Sequence, residues 1–282
     1  MLCKSFQLAS HSSTVPQLTT YILDNYPKFS AERVRPMVIV IPGGGYEHFG
    51  QREQESIAVK MNSMGFHAAV LNYTLAPMKF PQPLLDLAEA VAFVKKNAKE
   101  WNIDPEQIIL CGFSAGGHLA ASLGSYWNSS LISEYTNLKP EQVKPNTLLL
   151  NYPVITSNPE FSHPGSIKNL ISSLSDDEAQ KICRLTNSLN ISEAVSIEKH
   201  ISKDFPQTFV WHTVQDEAVP AENTLLLAMA LRKAGVDFEY HLFNRGKHGL
   251  ALASAETANP DGTNAEQECS IWPELFANWY KK

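Results

Sequence analysis

The stretch Gly112-Phe113-Ser114-Ala115-Gly116-Gly117 lies between an apolar run, Ile108-Ile109-Leu110-Cys111, and a small-residue segment, His118-Leu119-Ala120-Ala121-Ser122-Leu123. Strand, Gly-x-Ser-x-Gly and helix in that order describe a nucleophile elbow, a tight turn that exposes a serine hydroxyl at the end of a sheet. The flanking glycines are expected because a Cβ there would meet the neighbouring strand or helix. The helix that follows aims its first amides at developing negative charge.

A serine hydroxyl is a weak nucleophile at neutral pH and needs a base, which in turn needs an orienting group. With this elbow the partners follow in the chain order acid, then histidine. Asp216, in Gln215-Asp216-Glu217, lies just past the apolar run 206–212, at the end of a strand where α/β sheets build their sites. Its neighbour Glu217 is read as a solvated residue in the first turn of the next helix. His248, in Gly246-Lys247-His248-Gly249, follows the run 237–243, and glycines on both sides give the ring room. The candidate catalytic residues are therefore Ser114, Asp216 and His248. His118, one turn into the elbow helix, reads as structural, and His212 and His241 as residues packed within strands. His11, His48, His67, His163 and His200 have no matching context.

The tetrahedral oxyanion of acyl transfer is best held by amides fixed before reaction. Pro42-Gly43-Gly44-Gly45-Tyr46 follows the run Met37-Val38-Ile39-Val40-Ile41, and the amides of Gly44, Gly45 and Ala115 are the expected donors. Without a Gly-Lys-Ser/Thr sequel, the glycines do not read as a nucleotide loop. Tyr46, Tyr73 and Tyr152 sit in the glycine loop or just after strands and are expected to contact substrate, as is Phe49, with ordinary packing the alternative for each. Together with Asn72, Asn151 and Asn158 they favour a polar alcohol moiety over a long lipid.

These residues need a frame. Edge strands are expected at 3–9 and 18–23, buried strands at 37–41 and 66–72, and further strands at 107–111, around 148–150, 206–212 and 237–243. Helices are expected at 52–64, 84–101, from the elbow to about 125, at 221–234 with Gly235 as C-terminal glycine, and at about 271–281. The alternation implies an α/β fold with a mostly parallel eight-stranded sheet and helices on both faces. Residues 156–205 break the rhythm. They carry only weak helical signals, at 176–189 and 192–200, and are expected to form a small helical cap on one wall of the site within a single domain 1–282.

At 282 residues with 44% hydrophobic residues the chain can bury one large core, and a net charge of −6 without a basic run argues against nucleic acid and against an anionic membrane surface. No apolar stretch approaches a membrane span and no leader pattern follows Met1, so a soluble, cytoplasmic chain is expected. Cys3, Cys111, Cys183 and Cys269 form no metal spacing and read as reduced thiols. No metal is expected, the partner is a small-molecule ester substrate, and a homodimer is an option that no sequence signature marks.

The glycine loop, the elbow, Asn72-Tyr73-Thr74-Leu75-Ala76-Pro77 with Phe80-Pro81-Gln82-Pro83 and Asp86, and the pair Asp216 and His248 together resemble the α/β-hydrolase superfamily, in its esterase/lipase branch related to hormone-sensitive lipase. Pro42 replaces the histidine that usually opens the glycine motif there, and Thr74 replaces an arginine. Both departures look like the bacterial acetyl-esterase and acetylxylan-esterase-like group. The resemblance implies a cofactor-free serine carboxylesterase that prefers short acyl, chiefly acetyl, esters, including those of sugars or xylan fragments. The same core serves prolyl-oligopeptidase-type peptidases, which carry a large domain ahead of it where about 35 residues stand here. A non-catalytic small-molecule binder on a hydrolase scaffold is the other alternative. Substrate does not transfer with fold.

Overall fold

The computed structural model describes residues 1–28 and 30–281. Eight strands share one sheet: β1 (Leu2–Gln7), β2 (Gln17–Ile22), β3 (Arg35–Ile41), β4 (His67–Asn72), β5 (Ile103–Phe113), β6 (Thr147–Asn151), β7 (Gln207–Thr213) and β8 (Phe238–Phe243). Their spatial order is β1-β2-β4-β3-β5-β6-β7-β8. The pairs β1/β2 and β2/β4 are antiparallel and every other pair is parallel. The helices are α1 (Glu55–Ser63), α2 (Gln82–Trp101), α3 (Ala115–Tyr126), α4 (Ser130–Tyr135), α5 (Pro140–Val143), α6 (Pro164–Ile171), α7 (Asp176–Thr186), α8 (Ile191–Ala194), α9 (Glu222–Ala234) and α10 (Trp272–Tyr280).

The central strands read as unbroken apolar runs because both of their faces are covered. Side chains alternate between two cores, as the two-residue period of a strand requires. Met37, Ile39 and Ile41 of β3 join Leu110, Leu148 and Val210 in one core with α2, α3 and α9. Val38 and Val40 join Ile109, Leu149, Phe209 and Trp211 in the other, closed by Ile57 and Met61 of α1 and Trp272 and Phe276 of α10. Gly235 ends α9 in the left-handed region, with φ 73°.

The expected strands are all present in a mostly parallel sheet, with ends that differ by a residue or two except at β5, which starts at Ile103; β2, expected at an edge, is instead paired on both sides, with β1 and β4. Within 156–205 the expected single helix over 192–200 is α8 followed by a 3₁₀ turn, Ile197–Lys199. α6 was not expected; it opens on Pro164, which is favourable in a first helical turn because its missing N–H would have no partner there. Cys111 and Cys269 are buried free thiols. Among the described residues no helix is long and apolar enough to cross a membrane.

Candidate active site

Ser114 joins β5 to α3 with φ 51° and ψ −118°, a backbone conformation rare for a residue with a side chain. Its amide donates to Asn151 O at 3.1 Å, and its carbonyl accepts from His118 N and Val154 N at 3.1 Å. The turn is tight because α3 starts directly against β3. A Cβ on Gly116 would stand 2.1 Å from Ile41 O, and one on Gly112 2.4 Å from Gly116 O.

β7 and β8 deliver the other two candidates to the same end of the sheet. His248 Nε2 lies 2.8 Å from Ser114 Oγ, and His248 Nδ1 lies 2.6 Å from Asp216 Oδ2. A carboxylate only accepts, so Nδ1 carries the proton and Nε2 is left to accept from the serine hydroxyl. Asp216 is buried, and its Oδ1 accepts from the amides of Ala218 at 3.0 Å and Val219 at 2.9 Å. Burial pushes its carboxyl up, but hydrogen bonds from His212 and His248 and the charges of both rings outweigh it and hold the group far below the usual carboxylate range. Glu217 is exposed beside it.

His212, expected only to pack, holds this acid. Its Nε2 is 2.9 Å from Val219 O and 3.1 Å from Asp216 Oδ2, and the carbonyl requires that nitrogen to be the donor. The two residues are four apart, on opposite sides of a strand-end turn that the sequence does not reveal.

The glycine loop abuts the serine, since a Cβ on Gly43 would stand 2.8 Å from Ser114 Cβ. A trans peptide points its C=O and the next N–H in opposite directions, so an anchored carbonyl aims the following amide. Gly43 O accepts from Gly50 N at 3.0 Å, which sets the amide of Gly44. Gly44 O accepts from Glu47 N and His48 N at 3.1 Å, which sets the amide of Gly45. Gly44 holds φ 114°. Among the hydrogen bonds of the described residues none uses the amides of Gly44, Gly45 or Ala115.

Glu53 was not foreseen. It is a buried carboxylate whose Oε2 accepts from Gly43 N and whose Oε1 accepts from Tyr152 Oη, both at 2.8 Å. Tyr152 Oη also accepts from Ala251 N at 2.9 Å, and its ring meets His248 edge-on at 5.0 Å. Burial, then the charge of Glu53, raises the Tyr152 phenol well above its ordinary value. One carboxylate thus ties the glycine loop to the loop that carries His248.

The substrate contacts expected of Tyr46, Tyr73 and Tyr152 need correction. All three are buried and none lines the cavity in front of Ser114. Tyr73 Oη donates to Pro42 O at 2.9 Å. His118 Nε2 donates to Val195 O at 2.8 Å, so its Nδ1 accepts from Tyr46 Oη at 2.7 Å. Each hydroxyl is spent on bracing a loop, because a buried phenol must find a partner. Asn72, Asn151 and Asn158 are also off the cavity.

The cavity has a volume of about 630 Å³ and opens over Ser114 and His248. Side chains that can hydrogen-bond stand in its wall, among them His48, Gln51, Arg52, Asn264 and, from the segment 156–205, His163 and Asn169, and Phe49 is its large apolar side chain. Asn169 Nδ2 donates to Gly45 O at 2.9 Å. Among the described residues no group of three or more His, Cys, Asp or Glu could hold a metal ion.

The BD-FAE family matches residues 23–231. The acetyl ester-xyloside bifunctional hydrolase of Caldicellulosiruptor lactoaceticus is 38% identical, with a TM-score of 0.77 over 96% of this chain and 89% of that one. Endo-1,4-beta-xylanase B of Butyrivibrio fibrisolvens is 35% identical over 86% of this chain and 36% of its own length. Acetylxylan esterase of Xylanibacter ruminicola is 29% identical over 77% of this chain and 41% of its own. The chain thus spans well under half the length of these two curated relatives.

Proposed function

The chain belongs to the BD-FAE family of α/β hydrolases, and from that premise we propose that it is a serine carboxylesterase that removes short acyl groups, acetyl above all, from sugar or xylan-derived alcohols. The observation that carries this reading is the unbroken relay from Asp216 Oδ2 through His248 to Ser114 Oγ, with links of 2.6 and 2.8 Å. In the first step Ser114 Oγ attacks the acyl carbon while its proton passes to His248 Nε2. The oxyanion settles among the amides of Gly44, Gly45 and Ala115. The bond to the alcohol oxygen then breaks, and His248 returns the proton to that oxygen. Water attacks the acyl-enzyme with His248 again as base, which releases the acid and restores Ser114.

Two features support a small acyl group and a polar alcohol. The cavity wall offers several hydrogen-bonding side chains close to the nucleophile. The relatives include proteins named for acetyl ester, xyloside and acetylxylan hydrolysis. In this reading the segment 156–205 is a cap, since α6 supplies part of one wall of the cavity. Side-by-side assays with an acetylated xyloside and tributyrin test the proposal. Preference for the xyloside is expected, and preference for tributyrin would overturn the substrate assignment.

A further inference from the structure

His163 stands at the start of α6 as its N-cap. The amide of Ser166 donates to His163 Nδ1 at 3.1 Å, and Ser166 Oγ lies 2.8 Å from the same atom. A backbone N–H can only donate, so Nδ1 keeps its lone pair and the ring proton resides on Nε2. The ring lines the cavity with Ser114 and His248, and its Cε1 would stand 3.8 Å from a Cβ on Gly45, directly over the glycine loop. Among the described residues no acceptor is bonded to Nε2.

The ring is also held neutral. Burial and then the charge of His248 lower its proton affinity, and Asp216 opposes them more weakly. Protonation would set a new N–H against the amide of Ser166, at the positive end of the α6 dipole. What faces the cavity is an uncharged donor in a fixed tautomer, suited to a neutral oxygen. An acetyl group has one strong acceptor, the carbonyl oxygen, and the loop amides take it. The oxygen left to face His163 therefore belongs to the alcohol.

We propose that His163 is a specificity-determining residue that donates its Nε2–H to a hydroxyl or ether oxygen of a polyhydroxylated alcohol moiety, an inference that rests on the esterase reading above. His163→Asn is the decisive variant, because asparagine still caps the helix but withdraws the far donor. His163→Phe is the second, with the ring kept and both nitrogens removed. Each is assayed on a mono-O-acetylated methyl xyloside and on 4-nitrophenyl acetate, which has no sugar hydroxyl.

The expected result is a fall in kcat/KM of about tenfold on the xyloside with a change within about twofold on 4-nitrophenyl acetate, as for loss of one specific hydrogen bond. Equal losses on both esters, or no loss on either, would overturn the proposal and leave the esterase reading standing. A wild-type protein inactive on both esters would overturn the esterase reading itself. Nitrogen-15 NMR of the wild-type imidazole at pH 7.5, assigned by difference from His163→Phe, reads the donor without turnover. A proton on Nε2 is expected, and a proton on Nδ1 would overturn the proposal whatever the kinetics.

Discussion

Glu53 Oε2 accepts the amide hydrogen of Gly43 at 2.8 Å, one residue before the first amide assigned to the oxyanion. Because Glu53 Oε1 also takes the hydroxyl of Tyr152, which braces the His248 loop at Ala251, a single side chain sets the spacing of both walls. Removing it leaves a buried amide and a buried phenol unpaired, at about 1–3 kcal/mol each. Glu53→Ala is expected to lower kcat by about 10- to 100-fold with a smaller change in KM, and Glu53→Gln to recover part of that loss. Steady-state kinetics on 4-nitrophenyl acetate check it, and a loss confined to KM would contradict it.

Gly44 is required by contact as well as by conformation. A Cβ there would stand 2.1 Å from His48 O, inside the turn that aims the Gly45 amide. Gly44→Ala must open that turn. The expected loss is about 100- to 1,000-fold in kcat, the range for removal of one oxyanion donor. Circular dichroism and kcat measured on the same preparation decide it, and a folded variant of near-native kcat would show that this amide does not serve the transition state.

Asp216 fixes which nitrogen of His248 carries the proton, and an amide in its place favours the wrong tautomer. Asp216→Asn is expected to cut kcat by about 10,000-fold with the fold intact. His212→Leu removes the second donor to the same Oδ2 and is expected to cost about tenfold, less than the loss of the acid itself. The ratio of the two kcat values checks the ranking. A larger loss from His212→Leu would reverse the roles assigned to them.

Stability depends on pH through two buried histidines outside the relay. Burial, then the charge of Arg35, lowers His67 to about 4. Burial likewise lowers His118 to about 4, with partial opposition from its bond to Val195 O. Both folded values lie below the unfolded value near ~6.5, so the unfolded chain takes up these protons first. Their contribution is fully present above pH ~6.5 and is lost as pH falls toward 4. The urea midpoint is expected to drop between pH 7.5 and 4.5, and to drop less in His118→Gln, which can still bond Tyr46 and Val195 but does not titrate. A midpoint indifferent to pH over that range would contradict this.

Much of this arrangement is legible in the sequence, for a definite reason. Ser114, Asp216 and His248 each lie just past the carboxyl end of a strand, and parallel strands deliver those ends to one edge, so position along the chain translates into proximity. Tyr46, Tyr73 and Tyr152 obey the same rule and face the core, because a strand-end position does not say which way a side chain turns. Glu53, His212, His163 and Asn169 were illegible. Their partners at Gly43, Asp216, Ser166 and Gly45 are set by turns and by α6, a helix in a segment whose sequence carries only weak helical signals. The Pro164-Gly165 start of α6 could have been read as a helix opening, and only that reading would have drawn attention to His163.

The central claim is that the hydroxyl of Ser114 becomes nucleophilic because His248 and Asp216 converge on it. Intact-mass and peptide mass spectrometry after treatment with a fluorophosphonate measure this directly. The account predicts one adduct per wild-type chain, located on Ser114, none on Ser114→Ala, and markedly slowed labelling of His248→Ala. Labelling that persists in Ser114→Ala, or a folded wild-type chain that takes no label, would contradict it.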